Sequence, residues 1–409
     1  MTMTPRFPRA FALSWLIAAL PCAALTAENW AQWRGPSLNG LSGERNLPTR
    51  WSTTENVAWK LALPAFSAST PIVWNDRIFL NVAEGNDLFL WAVDRTRGVP
   101  LWKRPLGAGN RLMRKHNMSS PSPVTDGVNV WAMTGTGILK AFDFGGNEIW
   151  TRDLPKDYGR FGMQYGYGAS PLLFDDSLYV PVLHGLLTDD PSYVLRIRKS
   201  DGRTIWRVER PTNARFESPD AYTTPALLRY GTTVEIVVTG ADAVTGHDPS
   251  TGKELWRADV LNPNNDGAYR IVASPFVYGE TIFAPSRERP LLALKAGGRG
   301  DVSRSHVLWS FANGPDVPTP VTDGTYVYVI NDRGIMYCLD AKTGKALWRF
   351  YTGGAIRGDR HDQIRQGERV TERDEVAGLL RAHDARELGD TEDVALRSAA
   401  IDHQAHRLG

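Results

Sequence analysis

Apolar and polar positions between Ser69 and Phe350 repeat one order six times. Each copy opens with a small residue and a proline and continues through a short apolar run, a turn and a stretch of β-branched and aromatic residues. It closes with a turn and a tryptophan. Short runs of this composition, bounded by Gly, Asp and Asn, predict β-strands. In the last copy, strands are predicted over 325–330 and 334–339. The pattern therefore predicts an all-β chain of short strands joined by turns.

The spacing of the tryptophans indicates the size of one repeat. From Trp59 to Trp348 they recur every ~48 residues, which is in the range of four-stranded propeller blades. A residue that recurs at a fixed blade position argues for packing between blades, whereas a unique site would be singular. We therefore predict a β-propeller of four-stranded blades with six clear repeats. The predicted anchors, in equivalent places, are Trp59, Trp102, Trp150, Trp206, Trp256, Trp309 and Trp348.

The openings and turns of the repeats carry residues suited to strand starts and hairpins. A proline at the first residue of a strand removes no ladder hydrogen bond. A turn glycine supplies positive φ, and a preceding aspartate can accept hydrogen bonds from the turn backbone. The opening prolines are Pro71, Pro123, Pro171, Pro225, Pro275 and Pro320, and the turn residues are Asp94, Gly98, Asp201, Gly202, Asp248, Gly252, Asp340 and Gly344.

Residues 1–27 have the order of a secretory signal peptide, with two arginines, an apolar run and small residues up to Ala27. The apolar run is short for a membrane span, so we predict cleavage and an exported, periplasmic or extracellular protein; a retained anchor is the alternative. Pro21 directly before Cys22 makes a poor lipidation site, so a lipoprotein anchor on Cys22 is not expected. Without Cys22, Cys338 has no partner for an intrachain disulfide.

The mature chain divides into three further segments. Residues 28–58 are rich in tryptophan and are predicted to form an extended arm that lies on the propeller. Residues 59–350 contain the repeats. Because closure removes exposed strand edges, the strand around Trp59 is predicted to pair with strands from the C-terminus.

Residues 351–409 do not supply such strands. After Tyr351 there is no aromatic residue and no lysine, while arginine recurs and four of the eight histidines occur. We interpret this divergent charged tail as a frameshifted or replaced end and expect irregular closure of the ring; a genuine regulatory tail is the alternative. The histidine spacing matches no zinc pattern, so no metal site is predicted.

Charge and composition exclude one class of partner. The formal net charge is only +2, and no cluster of Lys and Arg interleaved with aromatic residues occurs, so nucleic-acid binding is not expected. His184 and the Asp189-Asp190 pair could act as acid and base, but no nucleophile lies beside them in the sequence and turn residues explain them equally well. We predict no catalytic residue.

The connections between each closing tryptophan and the next opening proline are the candidate site. In a propeller they converge on one face around the axis. They are long and rich in arginine, tyrosine and asparagine, which suits an anionic or polar ligand such as a peptide strand or a glycan. Ordinary solvated loops and channel packing are the alternative. The candidate lining residues are Arg114, His116, Tyr165, Asp220 and Arg270.

The closings D-P-S-T-G-K-E-L-W over 248–256 and D-A-K-T-G-K-A-L-W over 340–348 resemble the repeats of the pyrroloquinoline-quinone-like (PQQ-like) β-propeller family. The segment N-W-A-Q-W-R-G-P over 29–36 is similar to the mature start of exported members. The resemblance covers residues 59–350 and implies an eight-bladed ring, of which six repeats are recognisable in this chain.

Two kinds of protein share these repeats. The resemblance implies either a quinoprotein dehydrogenase with PQQ and calcium in the funnel, often beside a disulfide of adjacent cysteines, or a cofactor-free scaffold of the BamB group. This sequence has no adjacent cysteine pair, no inserted substrate domain and no dense cluster of calcium ligands. We favour an exported, non-enzymatic binding scaffold without cofactor. Its expected partner is a protein or a polar polymer, in the periplasm or at the outer membrane; the PQQ- and calcium-dependent dehydrogenase is the alternative.

Overall fold

Six sheets make up the computed structural model, which describes residues 28–113 and 116–352. Within each sheet, four successive strands pair as an antiparallel meander. The first strands of neighbouring sheets contact each other, so they lie nearest the axis and the fourth strands form the outer rim. The predicted all-β propeller of four-stranded blades is confirmed.

The strands follow the repeats in order. Blades 1 to 3 comprise β1 (Ile72–Trp74), β2 (Arg77–Glu84), β3 (Asp87–Asp94), β4 (Pro100–Ala108); β5 (Val124–Thr125), β6 (Asn129–Met133), β7 (Ile138–Asp143), β8 (Glu148–Asp153); and β9 (Leu172–Phe174), β10 (Ser177–Val182), β11 (Tyr193–Arg198), β12 (Thr204–Glu209). Blades 4 to 6 comprise β13 (Ala226–Tyr230), β14 (Thr233–Gly240), β15 (Ala243–His247), β16 (Glu254–Ala258); β17 (Phe276–Tyr278), β18 (Thr281–Pro285), β19 (Leu291–Lys295), β21 (Val307–Phe311); and β22 (Val321–Thr322), β23 (Tyr326–Ile330), β24 (Ile335–Asp340), β25 (Ala346–Tyr351). A short helix, α1 (Leu154–Tyr158), follows β8, and β20 (Gly300–Asp301) lies between β19 and β21.

The residue before each opening proline links one blade to the next. Its backbone N–H donates to the side-chain hydroxyl at the same position of the following blade, and we call this series the hydroxyl ladder. The links run from Thr70 to Ser122, Ser122 to Ser170 and Ser170 to Thr224 at 2.9 Å, and from Thr224 to Ser274 and Ser274 to Thr319 at 3.0 Å. Each innermost strand then begins directly after the proline. The ladder explains why Ser or Thr recurs at this position, since a buried N–H needs an acceptor.

Five tryptophans dock on the turn between the third and fourth strands of a blade. The indole Nε1 donates to a turn carbonyl, and the ring covers a turn glycine with positive φ, where a side chain would collide. The indole–carbonyl pairs are Trp59–Arg95 at 2.8 Å, Trp102–Phe144, Trp150–Lys199 and Trp309–Ala341 at 3.0 Å, and Trp206–Pro249 at 3.1 Å. The covered glycines are Gly98, Gly146, Gly202, Gly344 and Gly252. From Trp102 onwards, the receiving turn belongs to the blade that follows.

Trp256 does not occupy the predicted equivalent place. Its Nε1 donates at 2.6 Å to the buried carboxylate of Glu235 in its own blade, to which Arg299 also donates. The cause lies in blade 5, where the segment between β19 and β21 replaces the expected glycine turn. Part of that segment is β20, which pairs in parallel with β16 as a fifth strand of blade 4. The turn that would receive the indole is therefore missing.

The N-terminal arm crosses the axis and contacts most of the blades. Arg34 is buried beneath Phe276 of blade 5, and its guanidinium donates to the carbonyl of Pro320 in blade 6 at 2.7 Å. Burial lowers the pKa of Arg34 to about 10. The other backbone and side-chain links join Trp30 to Val73, Ala31 to Thr125 and Gln32 to Leu173. The arm thus holds blades 1, 2, 3 and 6 together at the centre.

Ring closure differs in detail from the expectation for Trp59. No strand forms over 57–61 among the described residues, yet Trp59 docks on the turn of blade 1 as the outer tryptophans dock on their following blades. Its side chain occupies the place that the outer tryptophan of a preceding blade would fill. The predicted signal peptide with Cys22, and the tail from residue 353 onward, lie outside the described residues. Within the described part of the chain, no helix is long and apolar enough to cross a membrane.

Candidate functional site

The two faces of the propeller differ in the length of their connections. Connections from the fourth strand of one blade to the first strand of the next, and from second to third strands, share one face, which we call the loop face. The opposite turn face carries the short hairpins and the tryptophan-docked glycines. The loop face holds the long, irregular segments, and side chains from successive blades meet there.

Side chains from four successive connections meet on the loop face. His116 lies edge-on to Tyr222 at 6.3 Å between ring centroids, and Tyr222 lies 6.1 Å from Tyr165. The guanidinium of Arg270 lies 5.9 Å from the centre of the Tyr165 ring. Three of the candidate residues from the sequence, His116, Tyr165 and Arg270, therefore form one cluster, whereas Arg114 lies outside the described residues. Tyr222 was not selected from the sequence.

Asp220 does not line the funnel as predicted. Its side chain is fully buried, and its carboxylate accepts backbone N–H groups from Gln164, Gly185 and Leu186 at 2.8–3.1 Å. These donors belong to two separate connections, so Asp220 fastens both to the start of blade 4. Burial raises its pKa even though the amides favour the charged form. Asp220 is a positioning residue for the loop face.

The positive charge of Arg270 is already balanced within the protein. Glu217 lies 3.3 Å from its Nε, and Asp316 lies 3.6 Å from its Nη2. Arg270 is only 8% exposed. A guanidinium held between two carboxylates and a tyrosine ring is a poor receptor for a further anion, because an anion would be repelled by both carboxylates.

Two histidines near the loop face have structural contacts. His184 Nδ1 accepts the N–H of Gly162 at 3.0 Å, and Nε2 lies 3.3 Å from the carbonyl of Pro191. Burial lowers the pKa of His184 and also that of His116, whose Nδ1 contacts the Ser120 hydroxyl. Both rings are thus placed by local hydrogen bonds, and His184 serves to hold the 159–167 connection.

An open groove on the loop face lies between blades 1, 2 and 3. It has a volume of about 540 Å³ and an apolar floor that includes Phe161, Met163 and Leu187. Arg111 and Arg160 border it, and both side chains are exposed. Neither arginine forms an ion pair with another residue of the described part of the chain. We call this site the loop-face groove.

The apolar residues of the loop-face groove were not predicted from the sequence. The prediction selected polar and aromatic residues of the same connections. A usable signal existed: Phe161 and Leu187 are large apolar residues within long connections, where solvated loops rarely need them. Leu187 is 49% exposed, and Leu112, beside Arg111, is 76% exposed. An exposed apolar side chain beside arginines that form no ion pair within the described chain indicates a binding surface more strongly than the polar loop residues do.

The carboxylates of Asp220, Glu217 and Asp316 do not form a calcium site, because each is already engaged within the protein. Calcium requires several converging oxygen ligands, but the carboxylate of Asp220 is engaged by three backbone amides and those of Glu217 and Asp316 face Arg270. Among residues 28–113 and 116–352, no group of three or more His, Cys, Asp or Glu side chains could hold a metal ion.

The solved structures similar to this chain include the following three. BamB from Moraxella catarrhalis is 17% identical with a TM-score of 0.46, and the match covers 69% of this chain and 72% of that one. A europium-containing methanol dehydrogenase is 12% identical with a TM-score of 0.45, covering 80% and 86%. A quinohemoprotein alcohol dehydrogenase from Comamonas testosteroni is 12% identical with a TM-score of 0.45, covering 81% and 74%. At this level of similarity, nothing about function follows for this chain.

Sequence comparisons give one curated relative and one family. A tetrathionate hydrolase from Acidithiobacillus ferrooxidans is 26% identical over 125 residues, which is 25% of this chain and 24% of the hydrolase. The chain thus spans about a quarter of the length of that relative. A family model described as outer membrane protein assembly factor BamB matches residues 43–163, 168–350 and 300–388. Because these matches cover most of the chain, this protein belongs to the BamB-like family of PQQ-repeat propellers.

Proposed function

We propose that this protein is a non-enzymatic scaffold that binds an extended segment of a partner protein in the loop-face groove. The observation that carries the proposal is the pairing of an apolar floor with two exposed arginines that have no acidic partner among the described residues. Such a surface complements a peptide in which aromatic or aliphatic residues alternate with Asp or Glu.

The shape of the groove favours a polymer over a small molecule. It is open to solvent along the connections of three blades, whereas small-molecule sites enclose most of the ligand surface. The buried hydrogen bonds of Asp220 and His184 hold the 159–167 connection against blade 3, so the groove is largely pre-formed. A pre-formed surface lowers the entropic cost of binding a flexible segment.

The family description suggests the class of partner. An outer membrane protein assembly factor handles exported chains, and the predicted signal peptide of residues 1–27 would place this protein in the same compartment. We propose that the bound segment belongs to an exported protein, and that the scaffold works outside the cytoplasm without a cofactor.

A peptide library displayed on phage tests this proposal. The mature wild-type protein is expected to enrich peptides with Asp or Glu beside aromatic or aliphatic residues. Reversing both groove charges, with Arg111→Glu and Arg160→Glu, is expected to weaken binding of the enriched peptides by ~100-fold, because close charge pairs at an interface are worth ~1.5 kcal/mol or more each.

A matched control reverses two exposed lysines on the turn face, with Lys253→Glu and Lys342→Glu. The net charge changes by the same amount, so a loss caused only by long-range electrostatics would appear in both double variants. Equal losses of peptide affinity in the two double variants, or enrichment of basic peptides, would contradict binding in the loop-face groove.

The cofactor-free part of the proposal has its own test. Calorimetry of the mature protein with PQQ and calcium, followed by a dye-linked assay on alcohols and sugars, is expected to show neither tight binding nor turnover, because the loop-face carboxylates are engaged by amides and Arg270. Tight PQQ binding that requires calcium, with turnover lost in Glu217→Gln or Asp316→Asn, would establish the dehydrogenase instead.

A further inference from the structure

His184 joins the two connections that carry the apolar floor of the loop-face groove. Its Nδ1 accepts the buried N–H of Gly162, which lies directly between the floor residues Phe161 and Met163. The carbonyl of the same glycine accepts the backbone N–H of Leu187, another floor residue, at 2.9 Å. The two hydrogen bonds of Gly162 thus hold the groove floor together, and His184 makes one of them.

The hydrogen bonds of His184 fix its protonation state. A backbone N–H can only donate, so the Nδ1 that faces Gly162 carries no proton. A carbonyl can only accept, so Nε2, which lies 3.3 Å from the Pro191 oxygen, carries the single proton of the neutral ring. A second proton would lie on Nδ1 and face the N–H of Gly162. The charged ring therefore loses this hydrogen bond and leaves a buried amide without its acceptor.

Two other buried or half-buried histidines do not share this arrangement. Nδ1 of His116 faces the Asn117 carbonyl and the Ser120 hydroxyl, so it can donate when it is protonated. Nε2 of His247 lies 2.9 Å from a hydroxyl, which can donate or accept, and burial lowers the pKa of His247 to about 4. Of these three histidines, His184 is the one whose second proton breaks a hydrogen bond from the backbone.

We propose that protonation of His184 releases the 159–167 connection and so weakens binding in the loop-face groove. This inference rests on the proposed function, because it concerns the release of the segment that binds there. A site outside the cytoplasm, as proposed above, would bind its segment at neutral pH and release it in acid.

Charged groups from neighbouring elements act on the His184 ring. Burial lowers its pKa, whereas the Pro191 carbonyl and the carboxylate of Asp190 favour the charged ring. The positive charge of Arg207 on β12 acts in the same direction as burial. The ring is edge-on to Tyr193 of β11, whose raised pKa keeps the phenol neutral. The ring therefore holds its proton less readily in the closed connection than it would in water.

The direction of the pH effect follows from this difference. In the opened connection, His184 has the pKa of an exposed histidine, about 6.5. In the closed connection its pKa is lower, so the closed state loses stability as the pH falls below about 6.5. Asp220 acts in the opposite direction, because burial raises its pKa and its protonation favours the closed state. Acid opening is therefore carried by His184 and not by Asp220.

Amide hydrogen exchange of the free mature protein measures opening of the connection. After correction for the intrinsic exchange rate, protection of the Gly162 amide is expected to fall about three- to tenfold from about pH 7.5 to about pH 5.5. The Gly202 amide on the turn face, which donates to the Arg198 carbonyl, should keep its protection. Equal protection of the Gly162 amide at both pH values would overturn the proposal.

His184→Asn removes the titrating ring and keeps an acceptor, because the asparagine Oδ1 can take the place of Nδ1. In this variant, both Gly162 protection and peptide affinity are expected to be independent of pH. His306→Asn, at a half-buried histidine between β20 and β21, is the matched control and should respond to pH as the wild type does. A full pH response in His184→Asn would show that another group carries it. If that variant fails to fold, exchange in the wild type still decides.

Peptide affinity separates this inference from the proposed function. The enriched library peptide is expected to bind the wild type at least threefold more weakly at about pH 5.5 than at about pH 7.5, although its own carboxylates stay largely charged at both. Unchanged affinity would overturn acid release and leave binding in the groove intact. If the Arg111→Glu, Arg160→Glu variant bound the peptide normally, the proposed function would fail. Gly162 protection in the free protein would still show whether His184 opens the connection.

Discussion

Replacing Arg210 with alanine is expected to lower the free energy of unfolding by about 3–5 kcal/mol. Arg210 directly follows β12 and is fully buried. Its guanidinium donates to the carbonyls of Gly240 and Ala243 and to the Thr245 hydroxyl, each at 2.9 Å. Alanine would remove the guanidinium donors from the two carbonyls and the hydroxyl and create a cavity between blades 3 and 4.

The burial of Arg210 limits how much stability this substitution removes. Burial lowers its pKa to about 9, because desolvation disfavours the charged guanidinium. Removing the charge recovers part of the desolvation cost, so the loss will be smaller than three intact hydrogen bonds suggest. Denaturant unfolding followed by circular dichroism measures it. Arg203→Ala, at an exposed position on the same blade, should change stability by less than about 0.5 kcal/mol; an equal loss at both positions would contradict the assigned role.

Replacing Trp150 with alanine is expected to cost about 3 kcal/mol of stability. The indole fills the interface of blades 2 and 3, binds the Lys199 carbonyl at 3.0 Å and covers Gly202. Its removal creates a cavity between the two blades and exposes the carbonyl to water, so the packing between blades 2 and 3 is weakened.

Trp51→Ala is the matched control, because this tryptophan of the arm is 71% exposed and should cost little. Denaturation midpoints of the two variants compare the same chemical change in two environments. If Trp51→Ala were as damaging as Trp150→Ala, the docking of indoles on glycine turns would not be what joins the blades.

The repeats made the fold predictable because blade signals are local. Pro71 and its equivalents mark the innermost strands, and Gly98, Gly202, Gly252 and Gly344 all have positive φ in the turns, as expected from their place after the strands. Strand β23 begins within one residue of its predicted start. Such features depend on a few neighbouring residues, which a single sequence displays.

Features that depend on a neighbouring blade were not predictable. Trp256 follows a turn glycine by four residues, as Trp206 does, but its place is decided by a glycine-rich segment of blade 5 that pairs with β16. The buried position of the Asp220 carboxylate likewise depends on backbone amides that lie 34–56 residues away in the chain. The path of Arg34 across the axis to Pro320 joins residues 286 positions apart. No local pattern records these distances.

Hydrogen–deuterium exchange of the mature protein, with and without an enriched library peptide, tests most directly the claim that the loop-face groove is the binding site. Our account predicts slower exchange in the described part of the connection after β4, in the 159–167 connection and around Leu187, with no change in the hairpins of the turn face. Protection confined to the turn face or to the arm would contradict the account.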